Sequence, residues 1–128
     1  HARILVVDDD PDIALMVRDV LKRAGYEIRL AYEFAQAVER FGHEQFDLLI
    51  TDKQMAGHTG FDPLRALRRT DPSLPAILMT GFPELATDHL AIQGYLAKPF
   101  SRLKAIVESV ERTLQLSTRL KELRLRAA

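Results

Sequence analysis

The sequence predicts an α/β fold, a doubly wound five-stranded parallel sheet of order 2-1-3-4-5 with helices on both faces. Three observations carry that prediction. Short apolar, β-rich runs alternate with segments of helical periodicity, five times in succession. The first, third and fourth runs are the most uniformly apolar, as strands covered on both faces must be. Right-handed crossovers then leave few topologies, and 2-1-3-4-5 is the natural order for five strands.

The first strand is "RILVV" (3–7). In the segment after it, Ile13, Met16, Val17, Val20 and Leu21 recur at three and four, and Gly25 ends the helix. "YEIRLA" is the second strand and "EFAQAVERFG" its helix. "FDLLIT" is the third strand, followed by the helix "DPLRALRRT" with Pro63 in its first turn. "PAILMT" is the fourth strand, "PELATDHLAI" a short fourth helix and "GYLAK" the fifth strand. Everything from Ser101, a reasonable N-cap, reads as a fifth helix, with Leu103, Ile106, Val107, Val110 and Leu114 facing the sheet.

A chain of 128 residues, 47% hydrophobic and 28% charged, suits one compact domain. It has no cysteine, which excludes disulfides and thiolate metal sites and fits a cytoplasmic location. No apolar run approaches the ~18 residues of a membrane span, and no signal-peptide pattern opens the chain. The net charge is zero, yet residues 112–128 carry five cations (Arg112, Arg119, Lys121, Arg124, Arg126) against Glu122 alone. That tail is therefore +4 and the rest of the chain −4.

In a doubly wound sheet, ligands bind at the carboxyl ends of the strands. Asp8, Asp9 and Asp10 follow the first strand, and Glu33 lies past the second. The third strand ends in Thr51-Asp52, the fourth in Thr80-Gly81 and the fifth in Lys98-Pro99. Adjacent carboxylates repel unless a cation intervenes, and an all-oxygen set without His or Cys suits a hard cation such as Mg²⁺. Asp52 stands at the end of a buried strand, placed as a nucleophile toward phosphorus. Thr80 can donate to a transferred phosphoryl oxygen, and Lys98 can pair with its charge. Each residue alone also has an ordinary reading: Asp8 or Asp9 as a turn aspartate, Thr80 as a β-branched strand residue, Lys98 as a surface lysine. For Asp10 the ordinary reading prevails, an N-cap before Pro11. The histidines show no ligand spacing, and no Gly-rich phosphate loop is present.

"ILVVDDDPD", "DLLITDKQM", "ILMTG" and "GYLAKPF", in that order, resemble the receiver domain of two-component response regulators, over roughly residues 3–110. The resemblance implies a flavodoxin-like three-layer sandwich. It implies that Asp52 accepts a phosphoryl group from a phosphohistidine on a sensor histidine kinase or phosphotransfer protein. It implies that Asp8, Asp9, Asp52 and the backbone carbonyl of Gln54 hold Mg²⁺. It further implies that Lys98 assists the transfer, that Thr80 and Tyr95 form the switch pair, and that the bond before Pro99 is cis. The output would be a changed surface of the fourth helix, fifth strand and fifth helix. The domain would be a phosphoacceptor that catalyses only its own modification, not an enzyme with a separate substrate. The rival class is a receiver-like interaction module that is never phosphorylated.

The sequence departs from the family pattern at three places. Met55-Ala56-Gly57 lacks the proline usual after the phosphoacceptor, and Lys53 stands where an apolar residue is common. Phe82 beside the site would screen water and slow dephosphorylation. The interval from Thr80 to Lys98 is about one helical turn short. Gln54 also stands where a haloacid-dehalogenase-type hydrolase would carry a second aspartate.

Residues 1–112 are thus expected to be the receiver domain, and 113–128 an extension of its last helix. A continuous helix over that whole last segment would be about 40 Å long, more than the sheet needs. Leu116, Leu120 and Leu123 continue an apolar stripe on a slightly shifted phase. The expected roles are a linker to an effector domain or a homodimeric coiled coil. The basic flank is expected to be solvated rather than to bind nucleic acid.

Overall fold

The computed structural model describes residues 2–55, 58–59, 61–81, 91–98, 100 and 102–127, without the side chains of Met55 and His58. Most of the expected fourth helix, together with Phe82, Pro99 and Ser101, lies outside the described residues. Ala91 and Ile92, expected to end that helix, are not helical.

Seven strands and four helices follow in chain order among the described residues: β1 (Arg3–Val7), α1 (Pro11–Arg23), β2 (Glu27–Ala31), α2 (Phe34–His43), β3 (Leu48–Asp52), β4 (Gln54–Met55), β5 (His58–Thr59), α3 (Phe61–Arg68), β6 (Ala76–Thr80), β7 (Gly94–Ala97) and α4 (Leu103–Ala127). The main sheet is parallel and ordered β2-β1-β3-β6-β7, which is the expected 2-1-3-4-5. The two-residue strands β4 and β5 pair antiparallel as a small hairpin beyond Asp52. The sequence reading assigned no element there.

The period-two alternation of strand side chains divides the core into two layers. On one face Ile4, Val6, Leu48, Ile50, Ile77 and Met79 pack with Val17 and Leu21 of α1 and Ile106 and Val110 of α4. On the other, Leu5, Val7, Leu49 and Ala76 pack with Ala37 of α2 and Leu64 and Leu67 of α3. The result is the three-layer sandwich. β3 and β6 are buried throughout, whereas the edge strands β2 and β7 are only partly buried. That is why the central strands read as continuous apolar runs.

Local chemistry sets the ends of α1. The Asp10 carboxylate accepts from the Asp12 amide at 2.9 Å, and Pro11 opens the helix. At the other end the Gly25 amide donates to Lys22 and the Tyr26 amide to Leu21. Gly25 takes φ of 100° to do so, the left-handed conformation glycine adopts at least cost.

The seat of α4 corrects the sequence reading. Its buried residues are Ile106, Ser109, Val110 and Thr113. Val107 and Leu114, partly buried, pack against the core as expected, so the departure is Leu103, which is about half exposed. The helix meets the sheet core first at Ile106, one turn after Leu103. The reason lies in β7. A Cβ on Gly94 would stand 3.2 Å from Ser109 Oγ and 3.5 Å from Thr113 Oγ1. Helix and strand approach closely enough that small residues, not leucines, fit between them.

Candidate functional site

The register of the sheet builds the site. Val7 pairs with Thr51, so the next residues, Asp8 and Asp52, emerge side by side at the carboxyl edge. Asp52 pairs with Met79, and Thr80 with Ala97, which delivers Thr80 and Lys98 to the same edge. Backbone hydrogen bonds lock this arrangement past the strand ends: Lys53 N donates to Met79 O and Lys98 N to Thr80 O, both at 2.8 Å.

Among the described residues, Asp8, Asp9 and Asp52 each offer a carboxylate oxygen within 4.8 Å of the others. Glu33 is not part of that group. Asp8 is fully buried and Asp52 nearly so. The Asp8 Oδ1 atom accepts from the Asp10 amide at 2.9 Å. Asp10 therefore serves twice, capping α1 with its side chain and orienting Asp8 with its backbone. Lys98 Nζ donates to Asp8 Oδ2 at 2.8 Å and lies 3.3 Å from Asp52 Oδ2. Its pairing with Asp8 was not expected from sequence, since the two residues stand 90 positions apart. Only the topology brings them together.

One ammonium, that of Lys98, is thus shared between the two buried carboxylates Asp8 and Asp52. Burial, then the Asp8 charge, raises the pKa of Asp52, with Lys98 and the backbone of Gln54 acting in the opposite direction. Burial alone would lower the pKa of Lys98, but the hydrogen bond and charge of Asp8, together with Asp52, outweigh it and the pKa is raised. An all-oxygen donor set of three clustered, partly buried carboxylates fits a hard divalent cation. Thr80 is buried at the end of β6. Gln54 opens the hairpin directly after the pocket, with its backbone against the Asp52 carboxylate. Tyr95 lies on edge strand β7 and is 43% exposed. Asp8, Asp9, Asp52 and Lys98 thus come together, Thr80 and Gln54 adjoin them, and Tyr95 stands apart.

Comparison with known proteins agrees with this geometry. Residues 4–111 match the family model described as "Response regulator receiver domain". The response regulator receiver protein CpdR of Brucella abortus is 34% identical over 116 residues, 88% of this chain and 96% of that protein. The transcriptional regulatory protein ZraR of Escherichia coli is 33% identical over 111 residues, 82% of this chain. The chain spans only 25% of the length of ZraR. Among solved structures, response regulator TrrA of Thermotoga maritima, in complex with Mg(2+)-BeF, has a TM-score of 0.78 and 30% identity, covering 88% of this chain and 99% of that one. NtrX from Brucella abortus has a TM-score of 0.88 and 27% identity, covering 95% of this chain and 28% of that one. The chain belongs to the response regulator receiver domain family. It is a receiver module of response-regulator signalling with an acidic pocket at Asp8, Asp9 and Asp52.

Proposed function

We propose that this receiver is a working phosphorylation switch with Asp52 as its phosphoacceptor. The observation that carries the reading is the cluster of Asp8, Asp9 and Asp52 at the ends of β1 and β3, with Lys98 from the end of β7 bonded to Asp8 and Asp52. A pseudo-receiver kept only for interaction has no need of two buried carboxylates, Asp8 and Asp52, set side by side, which costs stability.

Asp8, Asp9 and Asp52, with the backbone carbonyl of Gln54, would hold Mg²⁺, and the Mg(2+)-BeF complex of TrrA supports that choice. The cation would neutralise the approaching phosphoryl group and the carboxylate it meets. The donor is a phosphohistidine of a sensor histidine kinase or phosphotransfer protein. An Asp52 oxygen attacks phosphorus in line as the bond to the donor's imidazole nitrogen breaks, and that nitrogen is left to take a proton. Lys98, already 3.3 Å from Asp52, turns its ammonium to a phosphoryl oxygen. The Thr80 hydroxyl donates to another. The new aspartyl phosphate carries roughly −1.5 to −2 charge, by analogy with other phosphoresidues. As Thr80 moves toward it, Tyr95 leaves its exposed position and turns inward. The surface around β7 and α4 then changes, and a partner, an output domain or a second copy docked on the β7–α4 face reads the change.

Residues 1–112 form the switch, and 113–128 extend its last helix toward whatever it controls. The domain works in the cytoplasm, where its phosphodonor is. Among the described residues no helix is long and apolar enough to cross a membrane.

Incubation with acetyl phosphate and Mg²⁺ tests the reading. One phosphoryl adduct is expected in the intact mass, absent in Asp52→Asn and absent when EDTA replaces Mg²⁺. An adduct that persists in Asp52→Asn, or none with any donor, would overturn it.

A further inference from the structure

The face of α4 that packs on the sheet does not stop where the sheet does. Ile106, Ser109 and Thr113 are buried, and the same three-four spacing continues through Leu116, Leu120, Leu123 and Ala127. This is a heptad seam. Where α4 crosses β7 near Gly94 the seam residues are small and polar, and beyond the sheet they become leucines. Among the described residues these leucines are only half covered: Leu116 is 56% exposed, Leu120 52% and Leu123 45%. Leu116 and Leu120 form one wall of a groove whose other wall includes Leu74 and Pro75, just before β6. The groove thus lies at the edge of the sheet opposite Asp52. Residues at i, i+4 and i+7 beside a groove are the anchors by which one helix receives another.

The charges flanking the seam select the occupant. The position before every second seam residue (Thr113, Leu120 and Ala127) is Arg112, Arg119 and Arg126, and Arg124 follows Leu123 on the other side; Glu122, before Leu123, is the one carboxylate among these residues of the tail. Arg68 and Lys121 add two more cations along the groove. A parallel pairing with a second copy would set Arg119 of one chain beside Arg124 of the other. An antiparallel pairing would set arginine beside arginine as well. Such like-charge contacts across a seam oppose association. A helix with acidic flanks meets arginines on both sides instead.

We propose that the C-terminal half of α4 is a docking site for an acidic amphipathic helix of another protein. Its leucine face covers Leu116, Leu120 and Leu123, and its carboxylates pair with Arg119, Arg124 and Arg126. The site is remote from Asp52, so it can hold a partner independently of the phosphorylation pocket.

The test uses the full chain and two labelled helical peptides with identical leucine seams, one flanked by glutamate and the other by lysine. Fluorescence anisotropy should show the glutamate peptide binding at least tenfold more tightly than the lysine peptide, and that preference should shrink with added salt. Leu120→Asp should abolish binding while the circular dichroism of the fold is unchanged, because Leu120 touches no core cluster. Arg119→Glu combined with Arg124→Glu should reverse the peptide preference. Equal binding of both peptides, or binding of neither, would overturn the proposal. So would sedimentation of the unliganded chain as a dimer that Leu120→Asp converts to a monomer, since the occupant would then be a second copy.

Discussion

Lys98 and the two carboxylates it joins show what one residue does to both stability and function. Burial and the Asp8 charge raise the Asp52 pKa, so the folded chain keeps that proton to higher pH than the unfolded chain does. Stability should therefore fall as pH rises from the ordinary aspartate value of 3.8 through the raised one. Asp52→Asn should remove that fall and melt higher than wild type at neutral pH in EDTA. A variant that melts lower there by scanning fluorimetry would contradict the electrostatics. Lys98 titrates with the opposite consequence. Its raised pKa means its contribution is complete below the ordinary 10.5 and is lost only as pH climbs through the raised value. Lys98→Met leaves Asp8 and Asp52 facing each other unpaired, and should cost about 1–3 kcal/mol in urea unfolding. A cost within error of zero would mean the ion pairs contribute nothing. Mg²⁺ should restore what the acidic pocket gives up. At a hundredfold excess over its Kd it stabilises by about 2.7 kcal/mol, and Asp9→Asn should abolish most of that gain in melting temperature. The clustering of Asp8, Asp9 and Asp52 was readable because turn and strand-end positions carry carboxylates in plain view. The Lys98–Asp8 bond was not, because it depends on tertiary approach and on no local pattern.

At the scale of elements, α4 shows where patterning informs and where it misleads. Periodicity alone selects the largest apolar residues, and so it favoured Leu103 and passed over Ser109 and Thr113. The structure reverses that choice because Gly94 brings β7 close to the helix. Gly94→Val should force the two apart and cost about 1–3 kcal/mol, measured by urea unfolding. An unchanged midpoint would mean that the contact with Ser109 and Thr113 does not set the helix position. Recognising the close approach from sequence would have needed the glycine opening an edge strand to be matched with two small residues a turn apart on the following helix. The α1 ends were legible for the opposite reason: the Asp10–Pro11 cap and the Gly25 stop act within a few residues of themselves. The β4–β5 hairpin was not legible, since two-residue strands have no periodicity to detect.

For the whole molecule, the strand order was readable because the three most apolar runs had to be central and crossover handedness left little choice. The convergence at the carboxyl edge followed from that order, with the register Val7–Thr51 and Thr80–Ala97 supplying the precision. The molecule thus has two proposed working ends: an acidic pocket for a phosphoryl group at the carboxyl edge of the sheet, and a basic, leucine-lined helix at the other. At the acidic end, Asp52 is the proposed acceptor of the phosphoryl group. Chemical trapping tests this most directly. After phosphorylation by acetyl phosphate and Mg²⁺, borohydride reduces an aspartyl phosphate to homoserine, and peptide sequencing by mass spectrometry locates it. We expect homoserine at position 52 and nowhere else. Homoserine at position 8 or 9, or none in a sample that carries the phosphoryl mass, would contradict the account.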